Sequence, residues 1–471
     1  MSAPAAPAVP RARLGVATLL AYGAGMLGTQ IFRDMPAVLL PVFMTTMLGV
    51  PAWLTGLVVL VSKLWLIVCD PLMGNLSDKA KARHGRAPFL LVGGVATSLA
   101  LVSLFSFTGF ASPYVAALAM GALFFVASTA FSAFSVPYLA LACELSPDPH
   151  QRTRLLSFRM GFAVLGVVAG VGLAQPIVQR LGGGPAAWQT MALVLGGMSL
   201  LSMLATPLGL RRRSGPDASA SGSSDWRAGL RAARRNQAYL VITTTNFLLS
   251  TAMACGYTVV GFLFVYVIGK VDLLLPFILF MALSTFASQP AWLGLSRRLG
   301  KRATFVVAAT GFALVMLSWF WVQPGGAPLL SLPLIGALGA QELLVIARGM
   351  GIGVFNAGFI LMVFSMLTDA VNAGKAVDDA VDEGLLSGIF SAIEKLGFAV
   401  GPLIAGFTLS LSGFQSSMTG MAHQSPAALR GIVLAYSALP AGLVAAAIAF
   451  FLLARSRAAA SGRLPGVVHA S

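Results

Sequence analysis

The stretch KLWLIVCDPLMGNLSD, Lys63 to Asp78, places Asp70 behind an apolar run whose only charge is Lys63. A carboxylate in that setting has two readings. Partly withdrawn from water, it can bind a proton, as acids inside membrane segments often do. Otherwise it caps the end of its segment or pairs with Lys63, two helical turns away on the same face. Other polar and charged residues lie in equally apolar surroundings. Gln30, Arg33 and Asp34 are spaced i, i+3, i+4 and share one helical face. Arg348 and Lys395 stand in later apolar segments. The planar fork of arginine matches a carboxylate, so Arg33 and Arg348 could grip an anionic group on a solute. The plainer reading pairs Arg33 with a nearby acid, Arg348 with Glu342, and Lys395 with Glu394 or an acid of the second helix. Trp65 and Tyr138 offer rings on which a sugar could stack, and simple packing accounts for them equally well.

Several other chemistries find no support. Cys69, Cys143 and Cys255 show neither metal-ligand spacing nor a disulfide pattern, and read as small buried residues. His84, His150, His423 and His469 fall in expected loops or the tail, so no histidine relay crosses the apolar segments. There is no HExxH, no GxSxG and no glycine-rich phosphate loop, which argues against an embedded enzyme and against an ATP-driven pump. No cofactor is expected.

The elements that must position these residues follow from composition. Of 471 residues 57% are hydrophobic and 10% charged, against roughly 25% charged in a soluble protein. Crossing a bilayer takes about 20 apolar residues. On that measure helices are expected near 14–46, 54–75, 88–109, 113–142, 156–179 and 187–210, then near 237–268, 273–296, 302–322, 340–367, 385–412 and 428–454. The first is read as an uncleaved membrane helix, bent at Pro36, rather than a signal peptide. The fold class is therefore an all-α membrane protein of twelve transmembrane helices in two six-helix halves. The halves span 1–210 and 237–456, joined by a small, polar, basic linker at 211–236 and followed by a disordered tail at 457–471.

Charge tests this layout. Arg211, Arg212, Arg213, Arg227, Arg231, Arg234 and Arg235 fall in the linker, and Lys79, Lys81, Arg83, Arg86, Arg297, Arg298, Lys301 and Arg302 in loops on the same side. The opposite side holds only Arg180, Lys270 and Arg430. The positive-inside rule then sets both termini in the cytoplasm. The net charge of +16 is spread over short loops, which speaks against a nucleic-acid partner. DPLMGNLSD after Val68-Cys69 and QPAWLGLSRR from Gln289 echo each other at the ends of the second and eighth helices, weakly supporting repeated halves.

GNLSDKAKARHGRAPF, Gly74 to Phe89, resembles the helix 2–3 loop of the major facilitator superfamily. The resemblance implies that Gly74 permits close helix approach and that Asp78, Arg83 and Arg86 work in gating. Three further stretches are similar to the glycoside–pentoside–hexuronide:cation symporters, the melibiose permease family. They are KLWLIVCDPLMG, SVPYLALACELSPDPHQRTRLLSFR from Ser135 to Arg159, and MLTDAVNAGKAVDDAVDEGLLSGIFSAIEKLG from Met366 to Gly397. By that resemblance Lys395 matches a lysine near the cation site. Glu144, Arg152 and Arg159 join the inner face, and Asp369 and Glu383, in the acid-rich 10–11 region, are gating candidates.

The departures bear on coupling. Sodium-using members carry a second aspartate where this chain has Leu66, an asparagine where it has Cys69, and a helix 4 aspartate where it has Ser135. A hard cation needs several oxygen ligands; Ser132 and Ser135 are weak ones. A proton needs one carboxylate, so Asp70 is expected to bind a coupling proton rather than sodium. The sugar-binding carboxylates of melibiose permease correspond to Gln30 and Ser135, which hydrogen-bond without charge. Substrate contacts are expected from Gln30, Arg33, Asp34, Trp65, Tyr138, Arg159 and Arg348. The expected function is proton-coupled, alternating-access symport of a polar organic solute such as a glycoside or uronide, by a monomer in the cell membrane (the inner membrane for a bacterial chain). Alternatives are a carrier of an amphiphile such as a lysolipid, marked by an apolar lateral opening beside helices 5 and 8, and an uncoupled uniporter.

Overall fold

The computed structural model describes residues 14–145, 148–210, 233–323, 328–332, 336–377 and 383–460. The first six helices are α1 (Val16–Met47), α2 (Ala52–His84), α3 (Ala87–Leu104), α4 (Pro113–Leu145), α5 (Pro149–Val167, continued through a π turn at Val168–Leu173 to Ala174–Arg180) and α6 (Pro185–Gly209). The second six are α7 (Gln237–Phe262 with a π turn at Leu263–Ile268), α8 (274–299), α9 (301–318), α10 (Ala340–Val377), α11 (Glu383–Leu411) and α12 (Pro426–Tyr436 and Ala438–Ala460). The linker 211–232, the acidic segment 378–382 and the tail from 461 lie outside the described residues, so expectations about them are not addressed.

Ten segments are long and apolar enough to cross a membrane. One of them, Val271–Trp321, contains both α8 and α9, which meet at Gly300. There the backbone takes φ 78° and ψ 158°, a left-handed conformation that glycine adopts without a Cβ clash. α1 stands outside the ten because Gln30, Arg33 and Asp34 interrupt its apolar run. With it, and with α8 and α9 counted apart, the described residues hold twelve long helices, consistent with twelve crossings. The α9–α10 connection departs from the all-helical expectation: Pro328–Leu332 and Gly336–Gly339 pair as a short antiparallel hairpin.

Three helix pairs join the halves: α2 with α11, α5 with α8, and α1 with α7. Small residues set how closely α11 approaches its neighbours. A Cβ at Gly397 would lie 2.8 Å from the Phe247 carbonyl oxygen and 2.9 Å from the Ser250 Cβ on α7, whereas one at Gly388 meets nothing within 4 Å. Gly397→Leu is therefore expected to destabilise the fold by about 1–3 kcal/mol through overpacking, with Gly388→Leu near neutral. Thermal melting in detergent micelles reads the difference.

At the end bearing the α1–α2 and α11–α12 loops the halves are stitched by backbone bonds. Gly49 N–H donates to Ser417 O (2.9 Å), Ser417 N–H to Thr45 O (2.7 Å) and Gly420 N–H to Thr46 O (3.0 Å). Trp53 N–H adds a bond to Ser410 Oγ (3.0 Å), and Arg180 pairs with Asp272 at 3.0 Å. At the opposite end Arg86 with Asp78 and Glu144, and Lys301 with Asp369, each tie elements of the same half.

Trp188 and Trp319 stand near helix ends, where tryptophan commonly anchors a helix at the membrane surface, yet both are core residues. Trp188 is 2% exposed beside Phe43 and Phe105, and Trp319 is fully buried between Phe277 and Tyr436. Gly74 is also reassigned: an added Cβ would meet Val136 at an ordinary 3.6 Å, so no close helix approach depends on it.

Candidate functional site

α2 is apolar except for Lys63 and Asp70 along its middle, and α11 and α4 pack against it. That packing determines what Asp70 can reach. Its Oδ1 accepts a hydrogen bond from Ser132 Oγ of α4 at 2.5 Å, and its Oδ2 accepts one from Lys395 Nζ of α11 at 2.5 Å. Both carboxylate oxygens are thus engaged, one within its own half and one across to the other. Lys63 is not the partner: seven residues along a helix are about 10 Å of rise, and Lys395 comes closer from the facing helix. The end-cap reading fails too, because α2 continues to His84. Ser132 is fully buried, Ser135 is half-buried one turn on, and Leu66 and Cys69 are buried beside the acid. Asp70, Ser132 and Lys395 come together as expected from sequence, and Asp70 does not stand alone.

α1 supplies the second cluster. Gln30 Nε2 donates to Asp34 Oδ2 at 2.6 Å, and Arg33 Nε donates to Asp34 Oδ1 at 3.1 Å. Asp34 is nearly enclosed, while Arg33 keeps 56% of its side chain exposed. Because the bond to Asp34 uses Nε, the terminal fork of Arg33 is left open to the space between the halves. Tyr257 of α7 and Glu394 of α11 lie within electrostatic range of Arg33. Lys63 lies within range of Arg33, Asp34, Asp70 and Lys395. The centre therefore balances Arg33, Lys63 and Lys395 against Asp34, Asp70 and Glu394. The sequence reading weighed Lys63 and Glu394 only as ion-pair partners, although the adjacency of Glu394 to Lys395 was a usable signal. It missed Tyr257, which nothing in the local pattern marks.

Two expected substrate contacts, Trp65 and Tyr138, are committed to packing, while Arg159 and Arg348 lie against aromatic rings, each with one buried guanidinium nitrogen unpaired among the described residues. Trp65 Nε1 donates to Thr129 Oγ1 at 2.8 Å and its ring stacks on Phe125 at 4.4 Å, so the ring serves α2–α4 packing. Tyr138 is 1% exposed, stacks on Tyr22 at 4.8 Å and donates to the Tyr22 carbonyl at 2.8 Å. No solute can stack on a ring so enclosed. The Arg159 guanidinium sits 5.7 Å from that ring, which places it in the same α1–α4–α5 packing. Arg348 lies over Trp319 at 5.3 Å. Its expected partner Glu342 instead accepts Lys270 Nζ at 2.5 Å and the Gly339 N–H at 2.8 Å. Six residues along a helix turn through about 240° per 3.6-residue periodicity, so Arg348 and Glu342 point apart.

The gating candidates fall into two networks. Arg86 is 7% exposed and reaches Asp78 at 2.5 Å, Glu144 at 2.8 Å and Ser77, while Lys81 adds a 2.9 Å contact to Glu144. Lys301 meets Asp369 at 2.5 Å. Arg152 is half-buried on α5; the side chains of Arg83 and Glu383 lie outside the described residues. Arg86→Ala would leave Glu144 and Asp78 without their fork. The expected loss is about 3 kcal/mol, at the lower end for a broken buried pair because Asp78 is half-exposed. A melting curve and an uptake assay read it, and Arg86→Lys should recover only part of both.

Comparison with known proteins places this geometry. The family described as MFS/sugar transport protein matches residues 21–455. An uncharacterised symporter of Synechocystis is 25% identical, the alignment covering 94% of this chain and 93% of the relative. A glucuronide carrier protein homolog of Escherichia coli is also 25% identical, over 91% of this chain and 90% of its own. The crystal structure of the nucleoside transporter NupG shares the fold with a TM-score of 0.63 at 12% identity, covering 93% of this chain and 99% of that one. A match running through all twelve helices and both charged clusters shows that the chain belongs to the MFS/sugar transport family and is a secondary active transporter of the membrane, not an enzyme.

Proposed function

We propose that the protein is a proton-coupled symporter of a glycoside or uronide, with both termini in the cytoplasm and the stitched loop end facing outward. The observation that carries this reading is the contact of Asp70 with Lys395 and Ser132. It is an ion pair between the two halves that alternating access must move past each other. A proton on Asp70 removes one of the charges that make this tie, so protonation favours one arrangement of the halves over another. Sodium fits less well: Leu66 and Cys69 bring no hard oxygen, and both Asp70 oxygens are already engaged. The solute meets the open fork of Arg33, a group suited to a carboxylate, with Asp34 and Gln30 holding that arginine in place from behind. The glucuronide carrier homolog among the relatives supports that substrate class, and the symporter supports coupling. The unit is a monomer.

Proteoliposomes loaded with a panel of glycosides and uronides, under a proton or a sodium gradient, test this. Proton-driven accumulation lost in Asp70→Asn is the expected outcome. Accumulation driven by sodium would overturn the coupling assignment. Downhill movement indifferent to both gradients and retained in Asp70→Asn would make the protein a uniporter.

A further inference from the structure

We propose that a groove on the outer flank of α7 and α11 holds one anionic phospholipid from the leaflet on the linker side, with its phosphate at Arg234 and an acyl chain along the groove. Leu240, Thr244 and Phe247 of α7 and Ile389, Ile393 and Leu396 of α11 line a hollow of about 770 Å³, counting its open mouth. In both helices the spacing is i, i+4, i+7, so each set forms one face. The second segment of α12, Ala438–Ala460, packs on α7 rather than on α11, which leaves this flank open among the described residues. The floor is fixed by Tyr239, 1% exposed, whose hydroxyl donates to the Leu386 carbonyl at 2.7 Å and ties the two helices together.

The groove belongs to the bilayer and not to the transport path. Glu394 and Lys395 turn toward the charged centre. At about 100° per residue, Ile389, Ile393 and Leu396 stand roughly half a turn away from them. The lining residues occupy the first turns of two membrane spans, Gln237–Ile268 and Leu385–Leu411, where the apolar matter at hand is acyl chain. Leu240 keeps 40% of its surface exposed there. The mouth, by contrast, is cationic. Arg234 lines it and Arg235 follows; both are exposed, and neither has an ion pair among the described residues. An unpaired arginine at the edge of a span, continued inward by an apolar wall, matches a phosphate joined to an acyl chain. A neutral lipid would leave the arginine without an anion, and a soluble anion would leave the wall without contact. An occupant here braces α11 from behind Lys395, so its presence bears on the stability of the bundle.

Native mass spectrometry and thermal melting of the full chain in micelles test this, with phosphatidylglycerol, phosphatidylcholine or inorganic phosphate added. Phosphatidylglycerol should be retained as a single adduct and raise the melting temperature. Phosphatidylcholine should bind about fivefold more weakly, the difference one cation near a membrane surface makes, and inorganic phosphate should give no shift. Arg234→Gln should abolish the preference between the two lipids. Arg297→Gln, which alters another exposed arginine on the same side, should leave that preference intact. Thr244→Trp, at an exposed position on the groove wall, should fill the hollow and remove the adduct of either lipid. Equal losses in Arg234→Gln and Arg297→Gln would mean a diffuse attraction to the basic loops and overturn the site. Equal retention of both lipids by the unaltered protein would overturn the anionic headgroup, and protection by inorganic phosphate alone would overturn the acyl chain. If Thr244→Trp fails to fold, the two arginine variants, which change exposed side chains only, still decide.

Discussion

Lys395→Ala is expected to abolish uphill accumulation and to lower thermal stability, while the double variant Asp70→Asn/Lys395→Gln regains the stability and not the accumulation. The ammonium of Lys395 is the only charged group bonded to Asp70 among the described residues, at 2.5 Å, and it comes from the other half of the molecule. Deleting it leaves a carboxylate in an apolar setting with Ser132 as its remaining donor. Asp70 is 21% exposed and Lys395 43%, so water screens part of the loss. The cost is set at about 3 kcal/mol, the lower end for breaking a buried pair. Neutralising both partners removes the uncompensated charge and the attraction together, a change that buried pairs often tolerate. The double variant should therefore melt near the unaltered protein. It should still exchange solute across the membrane down a gradient, since its halves can move, yet have no carboxylate for a proton to bias. Melting curves, counterflow exchange and gradient-driven uptake separate the three behaviours. Gradient-driven uptake in the Lys395→Ala protein would sink the idea that this pair transmits the coupling.

Helices and crossings were readable because burial in lipid demands long apolar runs, and twelve such runs set the layout. The α8–α9 junction followed from a basic loop, though not its tight turn at Gly300. The hairpin at 328–339 was not readable, since it occupies a short connection with no alternating pattern. Pairings were harder. Periodicity gives the face a residue shares within its own helix, which correctly grouped Gln30, Arg33 and Asp34. It says nothing of which helix faces which, so Asp70 and Lys395, 325 positions apart in sequence, came together through a family likeness and not through spacing. The failures have the same root. Arg348 was set against Glu342 by nearness in sequence, although the helical turn separates them. Trp188, Trp319 and Tyr138 sit where position along a helix points to an interface or a cavity, whereas neighbouring helices bury all three. Tyr257 carries no local mark; only the assembled bundle brings it within range of Asp34 and Arg33.

Arg33→Gln is expected to cut uptake of a uronide roughly 10- to 100-fold, the range for losing a hydrogen bond to a charged group, while a neutral glycoside on the same frame changes by no more than about threefold. Arg33 reaches Asp34 only through Nε, and 56% of its side chain stays exposed in the heart of the bundle. Asp34 also holds Gln30 at 2.6 Å, so it keeps one strong donor when the arginine is removed, which limits collateral damage to α1. The fork has no other anchor among the described residues, and an anionic group arriving between the halves would meet two parallel N–H donors. Glu394, across the gap on α11, competes for the same cation, so Glu394→Gln should raise uronide affinity as Arg33→Gln lowers it. Arg33→Lys keeps the charge without the fork and should fall between the two. Initial rates on a matched pair, a uronide and its neutral parent glycoside, give the discrimination directly. An equal fall for both solutes would assign Arg33 to holding α1 in place and remove it from the substrate contacts.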